Sequence, residues 1–257
     1  MEELRGRRVL ITGASRGIGA ATARCYAEAG AKLALGARDT ETLDALAAEL
    51  RAAGAEVITR RCDVADPAAV AALVDACVDA FGGLDVLVNN AGLIEPIGDL
   101  ADTDPDAWGR AVDVNLKGVY HGLRYGIPAM LAGGGGVVVN ISSGAATFTL
   151  DGWSAYCATK AAVLMLTRCT QAEYGERGIR VVGLSPGTVA TDMQATIKES
   201  GVNPVSQLDW SVHIPPEWAG KAVAWLSTEA AADLAGVDFS LTDEAGRRRV
   251  GLPSPKG

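Results

Sequence analysis

Short apolar runs rich in β-branched residues alternate along this chain with longer Ala/Leu-rich stretches whose apolar positions recur every three to four residues. The first pattern predicts strands and the second predicts helices with one buried face. Strands are predicted over 8–12, 32–37, 56–62, 84–89, 137–141 and 180–185. Helices are predicted over 17–29, 40–53, from 66 onward, and over 105–130, 153–174 and 216–226. Leu43, Leu46, Ala47 and Leu50 mark one such face, and Gly30 and Gly54 close the helices before them. Asp66 supplies an N-cap and Pro67 a first helical residue whose missing N–H costs nothing there. The run at 84–89 is almost wholly apolar, as a strand covered on both faces requires. The alternation implies an α/β fold with a parallel sheet and helices on both faces. No linker, repeat or low-complexity segment divides residues 1–257, so a single domain is expected. The weakly periodic stretch 188–215, with Gly201, Pro204 and Pro215, is expected to be a mobile lid.

Composition narrows the function. Hydrophobic residues make up 49% and charged residues 21%, a soluble globular balance. The net charge of −8 disfavours a nucleic-acid partner. The one tight basic run, Arg247-Arg248-Arg249, reads as a solvated tail or a pairing surface for another subunit. Five cysteines, with no Cys-x-x-Cys spacing, predict reduced thiols in a cytoplasmic protein, with neither a disulfide framework nor a metal site. No signal-peptide core precedes the first strand, and no apolar run approaches the ~20 residues that span a bilayer.

The first strand runs into Thr12-Gly13-Ala14-Ser15-Arg16-Gly17-Ile18-Gly19 and then a helix. Strand, glycine turn and helix N-terminus together make an anion site, because free N–H groups and the positive helix end face a phosphate. Glycine turns also occur for flexibility alone, and it is the flanking strand and helix that favour phosphate here. Farther on, Tyr156 and Lys160 stand four residues apart in a predicted helix, so they share one face. A lysine ammonium beside a phenol favours the phenolate, which would turn a poor base into a usable one.

These features resemble the short-chain dehydrogenase/reductase family. The spacing G-x-x-x-G-x-G is that family's variant of the dinucleotide turn. Asn89-Asn90-Ala91-Gly92 follows the fourth strand, Asn115 lies in the long helix, and Ser143 follows the fifth strand. Tyr156-x-x-x-Lys160 comes next, and then Pro186-Gly187 and Thr191. The motifs keep the family's order from Thr12 to Asp192. The resemblance implies a single-domain Rossmann-type doubly wound sheet and hydride exchange between a nicotinamide cofactor and a carbonyl or alcohol.

Ala37 stands where the resemblance places the acid that holds an NAD ribose, and Arg38 and Arg16 could together grip a 2′-phosphate. NADP(H) is therefore expected, the alternative being that Asp39 holds the ribose. The family further implies cofactor contacts at Gly13, Ser15, Arg16, Gly17, Ile18 and Gly19. It places Asp63 and Val64 at the adenine, Asn89, Ala91 and Gly92 near the ribose, and Pro186, Gly187, Val189 and Thr191 at the nicotinamide. Tyr156 is implied as acid/base, Lys160 as its tuner and ribose ligand, Ser143 as the donor to the substrate oxygen, and Asn115 as the anchor of a proton relay. Asn115 could equally close a helix kink. Cys157 and His121 read as packing residues.

Substrate contacts are expected from Ile94, Glu95, Ser143, Trp153, Tyr156 and Met193, with Leu93, Phe148, Leu150 and Trp210 nearby. They suggest a hydrophobic or aromatic ketone or alcohol. Reduction of a 3-oxoacyl thioester on an acidic carrier is an alternative, disfavoured by the uncharged loop 133–136. A non-catalytic NADP(H)-binding protein is a further alternative. A homo-oligomer, tetramer or dimer, is implied, although 236–243 lacks the glycine pair with which many relatives end.

Overall fold

The computed structural model describes residues 1–253. The expected domain end at residue 257 lies outside them. The chain order is β1 (Arg8–Thr12), α1 (Gly17–Glu28), β2 (Lys32–Ala37), α2 (Thr40–Ala52), β3 (Glu56–Arg61), α3 (Pro67–Phe81) and β4 (Val86–Asn89). It continues with α4 (Pro105–Val112), α5 (Gly118–Ala132), β5 (Gly136–Ile141), α6 (Ser154–Tyr174) and β6 (Ile179–Ser185). The last elements are α7 (Asp192–Ser200), α8 (Pro216–Leu226), β7 (Asp238–Ser240) and α9 (Glu244–Val250). Among the described residues, seven strands form one sheet in the order β3-β2-β1-β4-β5-β6-β7, every neighbouring pair parallel.

Alternation along each strand divides the core into two layers. Val9, Ile11, Leu33, Leu35, Val86 and Val88 pack on one face with Tyr26, Leu43 and Val223. Leu10, Ala34, Leu87 and Val138 pack on the other with Leu73, Leu123, Ile127 and Val163. The first face thus carries α1, α2 and α8, and the second α3, α5 and α6. Chain order reverses between β1 and β4, where a doubly wound sheet opens a crevice at its carboxyl edge.

Several boundaries differ from the sequence expectation. The strand expected from Leu84 starts at Val86: the Arg8 N–H, which would otherwise continue the ladder, donates to the Asp85 carboxylate at 2.8 Å, as does Arg8 Nε. The long helix is interrupted by a π-helical turn at Asp113–Lys117. Its extra residue per turn is held by Asn115, which clamps the backbone of Leu93. The stretch 188–215 contains α7, two short 3₁₀ turns and an isolated bridge between Val189 and Ile214. The basic run is not a solvated tail throughout. Arg247 is buried in α9, and its Nη1 donates to the carbonyls of Leu241 (2.6 Å) and Thr242 (3.0 Å), which fixes the turn after β7.

α1 and α8 pack closely because Gly220 presents no side chain. A Cβ there would lie 2.8 Å from the Ala21 backbone and 2.9 Å from the Thr22 nitrogen.

Candidate active site

A cleft of about 1120 Å³ opens along the carboxyl edge of the sheet. Gly13, Ser15, Arg16, Gly17 and Ile18 form one end, and Ser143, Trp153, Tyr156 and Lys160 line the other. The volume exceeds that of a typical small-ligand pocket and suits an elongated ligand plus a second molecule.

The glycine turn is built for close approach. Gly13 has φ +64°, and a Cβ on it would fall 2.8 Å from the Ala91 Cα. Asn90 ties the turn to the end of β4: its Nδ2 donates to the carbonyls of Thr12 and Gly13, both at 2.9 Å, and its N–H donates to Thr12 Oγ1. α1 begins after Arg16 with no side chain capping it, so its first N–H groups stay available to an anion. Gly19 does not line the cleft. A Cβ on it would lie 2.2 Å from the Gly13 carbonyl oxygen, so its role is to let helix and turn meet.

The strand-end residues at the far rim are divided between structure and cleft. Ala37 is buried, while Arg38 is exposed on the rim. Asp39 is occupied as the N-cap of α2, accepting from the Thr42 N–H at 3.1 Å and the Thr42 hydroxyl at 2.6 Å. Arg16 Nη1 reaches Asp192 Oδ2 at 3.1 Å across the mouth of the cleft, with both side chains exposed. Asp63 and Val64 line the wall. The Asp63 carboxylate accepts a 2.6 Å hydrogen bond from Arg110, a partner the sequence did not suggest. Although partial burial acts the other way, that bond and the Ala65 N–H hold it below the usual carboxylate range.

Asn89 is a correction. Its side chain does not line the cleft but donates from Nδ2 to Asn140 Oδ1 at 2.9 Å, and Asn140 donates in turn to the Thr167 hydroxyl at 2.9 Å. Alternation along β4 places Asn89 on the same face as Leu87, beneath α5 and α6. The two asparagines are register partners on neighbouring strands.

At the chemical end, β5 delivers two adjacent serines with different partners. The Ser143 hydroxyl stands beside the Tyr156 phenol and favours its ionised form. It also accepts from the Ala145 N–H at 3.2 Å. The Ser142 hydroxyl donates instead to Asp238 Oδ2 of β7 at 3.1 Å. Tyr156 and Lys160 sit one turn apart on α6, both buried. Burial pushes the Tyr156 phenol up to about 12, opposed by the neighbouring Ser143 hydroxyl. Burial also pulls the Lys160 ammonium down to about 8, opposed by the Asp238 carboxylate. Lys160 Nζ donates to the Ile141 carbonyl at 2.7 Å and lies 5.5 Å from the centre of the Tyr156 ring. The ammonium therefore faces the ring and the strand end, not the phenol oxygen.

Asn115 is buried behind the lining, donating to the Leu93 carbonyl at 2.8 Å and the Thr159 hydroxyl at 3.3 Å. A Cβ on Gly92 would stand 3.3 Å from Asn115 Oδ1 and 3.9 Å from Lys160 Nζ, so only a glycine separates amide and ammonium.

Ala91, Gly92, Pro186, Gly187, Val189 and Thr191 line the middle of the cleft. Ile94, Glu95, Leu150, Met193, Ile197 and Val205 complete the end at Tyr156 and Trp153. Trp153 meets Tyr156 edge to face, with ring centres 5.6 Å apart. Trp210 does not reach the cleft; half exposed, it packs against His213. His121 is structural, with Nδ1 2.8 Å from the Val64 carbonyl. Cys157 Sγ donates to the Phe148 carbonyl at 3.7 Å. Asp238 and Gln194 enter from β7 and α7, where no motif marks them.

Residues 7–201 match the short chain dehydrogenase family. The chain is 35% identical over 239 residues to 2,5-dichloro-2,5-cyclohexadiene-1,4-diol dehydrogenase of Sphingobium indicum, covering 93% of this chain and 95% of the relative. It is 38% identical over 238 residues to cis-4-hydroxycyclohexanecarboxylate dehydrogenase of Sinomonas cyclohexanicum, covering 90% and 92%. The crystal structure of levodione reductase superposes with a TM-score of 0.85 at 31% identity, covering 96% of this chain and 99% of the other. The protein belongs to the short-chain dehydrogenase/reductase family: it is an oxidoreductase of alcohol and carbonyl groups that uses a nicotinamide cofactor. The uncapped helix start, the glycine turn pressed against Ala91 and the long cleft fit such a cofactor.

Proposed function

We propose that this protein interconverts a secondary alcohol on a hydrophobic, cyclohexane-like ring and its ketone, with NADP(H) as cofactor. One observation carries the reading: Ser143 and Tyr156, neighbours in one lining, face a chamber walled by Ile94, Leu150, Trp153, Met193, Ile197 and Val205. Such walls suit an apolar ring with one polar carbon held at the pair. Two named relatives, the diol and the hydroxycyclohexanecarboxylate dehydrogenases, support a ring alcohol.

The bound nicotinamide would supply the two-electron acceptor for oxidation or donor for reduction, so that alcohol and NADP⁺ give ketone, NADPH and one proton. Tyr156 Oη takes the hydroxyl proton as the carbonyl forms, and returns it in reduction. Ser143 Oγ donates to the substrate oxygen and stabilises the charge it gains. Lys160 holds positive charge beneath both, favouring the phenolate once its ammonium turns from Ile141 toward the cofactor ribose and the phenol. Asn115, one glycine away, orders the path by which the proton leaves. Gly13, Ser15, Arg16, Gly17 and Ile18 would cradle the pyrophosphate. Asp63 and Val64 would bracket the adenine, and Val189 and Thr191 the nicotinamide amide.

The NADP(H) preference is supported by the exposed Arg38 beside a small Ala37 and by Asp39, whose carboxylate is already spent on the α2 cap. Residues 188–215 act as the lid, with Arg16–Asp192 as a weak exposed clasp. The deciding experiment is absorbance at the reduced-nicotinamide band with cyclohexanol, substituted cyclohexanols and their ketones, offered NADP(H) or NAD(H), with Tyr156→Phe as control. NADP(H)-linked turnover lost in Tyr156→Phe is expected. A clear NAD(H) preference would overturn the cofactor assignment, and turnover surviving in Tyr156→Phe would overturn the chemistry.

A further inference from the structure

The chamber beside Tyr156 is walled largely by apolar side chains, with the exposed Glu95 at its rim, and two nitrogens buried in that wall have no partner. Gln194, on the first turn of α7, is 4% exposed, and its Nε2 makes no hydrogen bond. Trp153, at the start of α6, is 5% exposed, and its indole Nε1 makes none either. Both residues line the cleft at its chemical end. Buried donors are almost always paired, because an unpaired one forfeits its bond to water without compensation. Glutamine and tryptophan are also costly choices for a wall that Leu and Phe could build as well. Neither nitrogen is needed for the reacting oxygen, which Ser143 and Tyr156 would hold.

We propose that Gln194 and Trp153 read a second oxygen on the substrate, remote from the carbon that is oxidised, so that the preferred substrate is a ring alcohol carrying another hydroxyl or carbonyl group. The inference rests on the ring-alcohol reading above. The indole N–H donates only, and so requires an acceptor oxygen. The glutamine amide can donate to a carbonyl or, turned over, accept from a hydroxyl, so the pair tolerates both oxidation levels of that second group. A plain cyclohexanol would leave both nitrogens buried and unpaired, and sites built around such groups reject the analogue that lacks the partner. Gln194 belongs to the segment 188–215, so a second oxygen would also draw α7 onto the substrate.

The test compares kcat/KM for cyclohexanol with that for the cis and trans isomers of 1,3- and 1,4-cyclohexanediol at saturating NADP⁺. At least one diol is expected to exceed cyclohexanol tenfold or more. In Gln194→Leu and in Trp153→Phe that ratio is expected to fall at least fivefold. A wild-type ratio near one, or variants that depress diol and cyclohexanol equally, would overturn the proposal. Calorimetric titration of Tyr156→Phe protein loaded with NADPH, using 4-hydroxycyclohexanone against cyclohexanone, separates this from the reading beneath it. Absence of turnover with every ring alcohol would overturn the ring-alcohol reading. The titration then decides the second-oxygen contact alone: a tenfold tighter hydroxyketone supports it, and equal affinities overturn it.

Discussion

Two serines side by side at the end of β5 differ in what they touch, and their fates on mutation should differ accordingly. Ser143→Ala removes the donor beside Tyr156 and is expected to lower kcat by about 10²–10³, the usual loss for one such donor. Ser142→Ala breaks only the bond to Asp238 and should cost less than tenfold; steady-state kinetics of the pair checks both. Lys160 offers a second test. Its ammonium is lowered from 10.5 to about 8 by burial, so the unfolded chain binds that proton more tightly. The buried cation therefore costs stability below about pH 8, and the cost fades as pH rises toward 10.5. Lys160→Met should abolish turnover yet unfold at higher temperature at pH 7, by about 1–3 kcal/mol of added stability, with the gain narrowing by pH 10. Thermal melts at the two pH values decide it.

At this scale the motif residues were legible because each carries its own chemistry in a fixed local spacing. What was not legible depended on which strand lies beside which. Asp238 meets Ser142 from 96 positions away. Gln194 sits in a stretch whose periodicity is too weak to announce α7. Asn89 was misplaced because the motif was read as a unit, although period-two alternation assigns Asn89 and Asn90 to opposite faces. A signal was present: Asn89 and Asn140 each lie next to the end of a predicted strand, where parallel neighbours would bring them level.

At the scale of elements, strand and helix order followed from periodicity, while the break in the long helix did not. Nothing in 105–130 other than Asn115 hints at a π turn, because its cause is the clamp on Leu93, 22 residues back. Asn115→Ala would leave that backbone N–H and carbonyl unpaired. It is expected to lower stability by about 1–3 kcal/mol. A larger loss of kcat than of stability, read by kinetics beside urea unfolding, would show the relay as well as the clamp. The α1–α8 contact gives a purely structural counterpart. Gly220→Ala sets a methyl against three backbone atoms that cannot rotate aside. A loss of about 1–3 kcal/mol is expected, visible as a lower urea midpoint with activity per folded molecule unchanged.

At the scale of the whole molecule, the parallel sheet, its two helical layers and its reversal between β1 and β4 put every motif at one edge. Among the described residues, no helix is long and apolar enough to cross a membrane. Tyr120 of α5 and Met165 of α6 stand about half exposed on long helices. The chain is accordingly expected to self-associate through that layer, giving by light scattering two or four times its 26.4 kDa. A monomer at micromolar concentration would rule this out.

The Gly220 contact has a consequence for how the protein is made. α1 leaves the ribosome well before the helix it fits so tightly, which is synthesised almost two hundred residues later. At ≈ 5–20 residues per second, that interval lasts roughly ten seconds or more. Throughout it the nascent chain carries a bare apolar helix face with no native cover, next to a sheet whose far edge does not yet exist. Interrupted synthesis anywhere before α8 would thus yield a sticky fragment in place of a smaller working enzyme. Productive synthesis therefore calls for shelter of α1 until α8 is out.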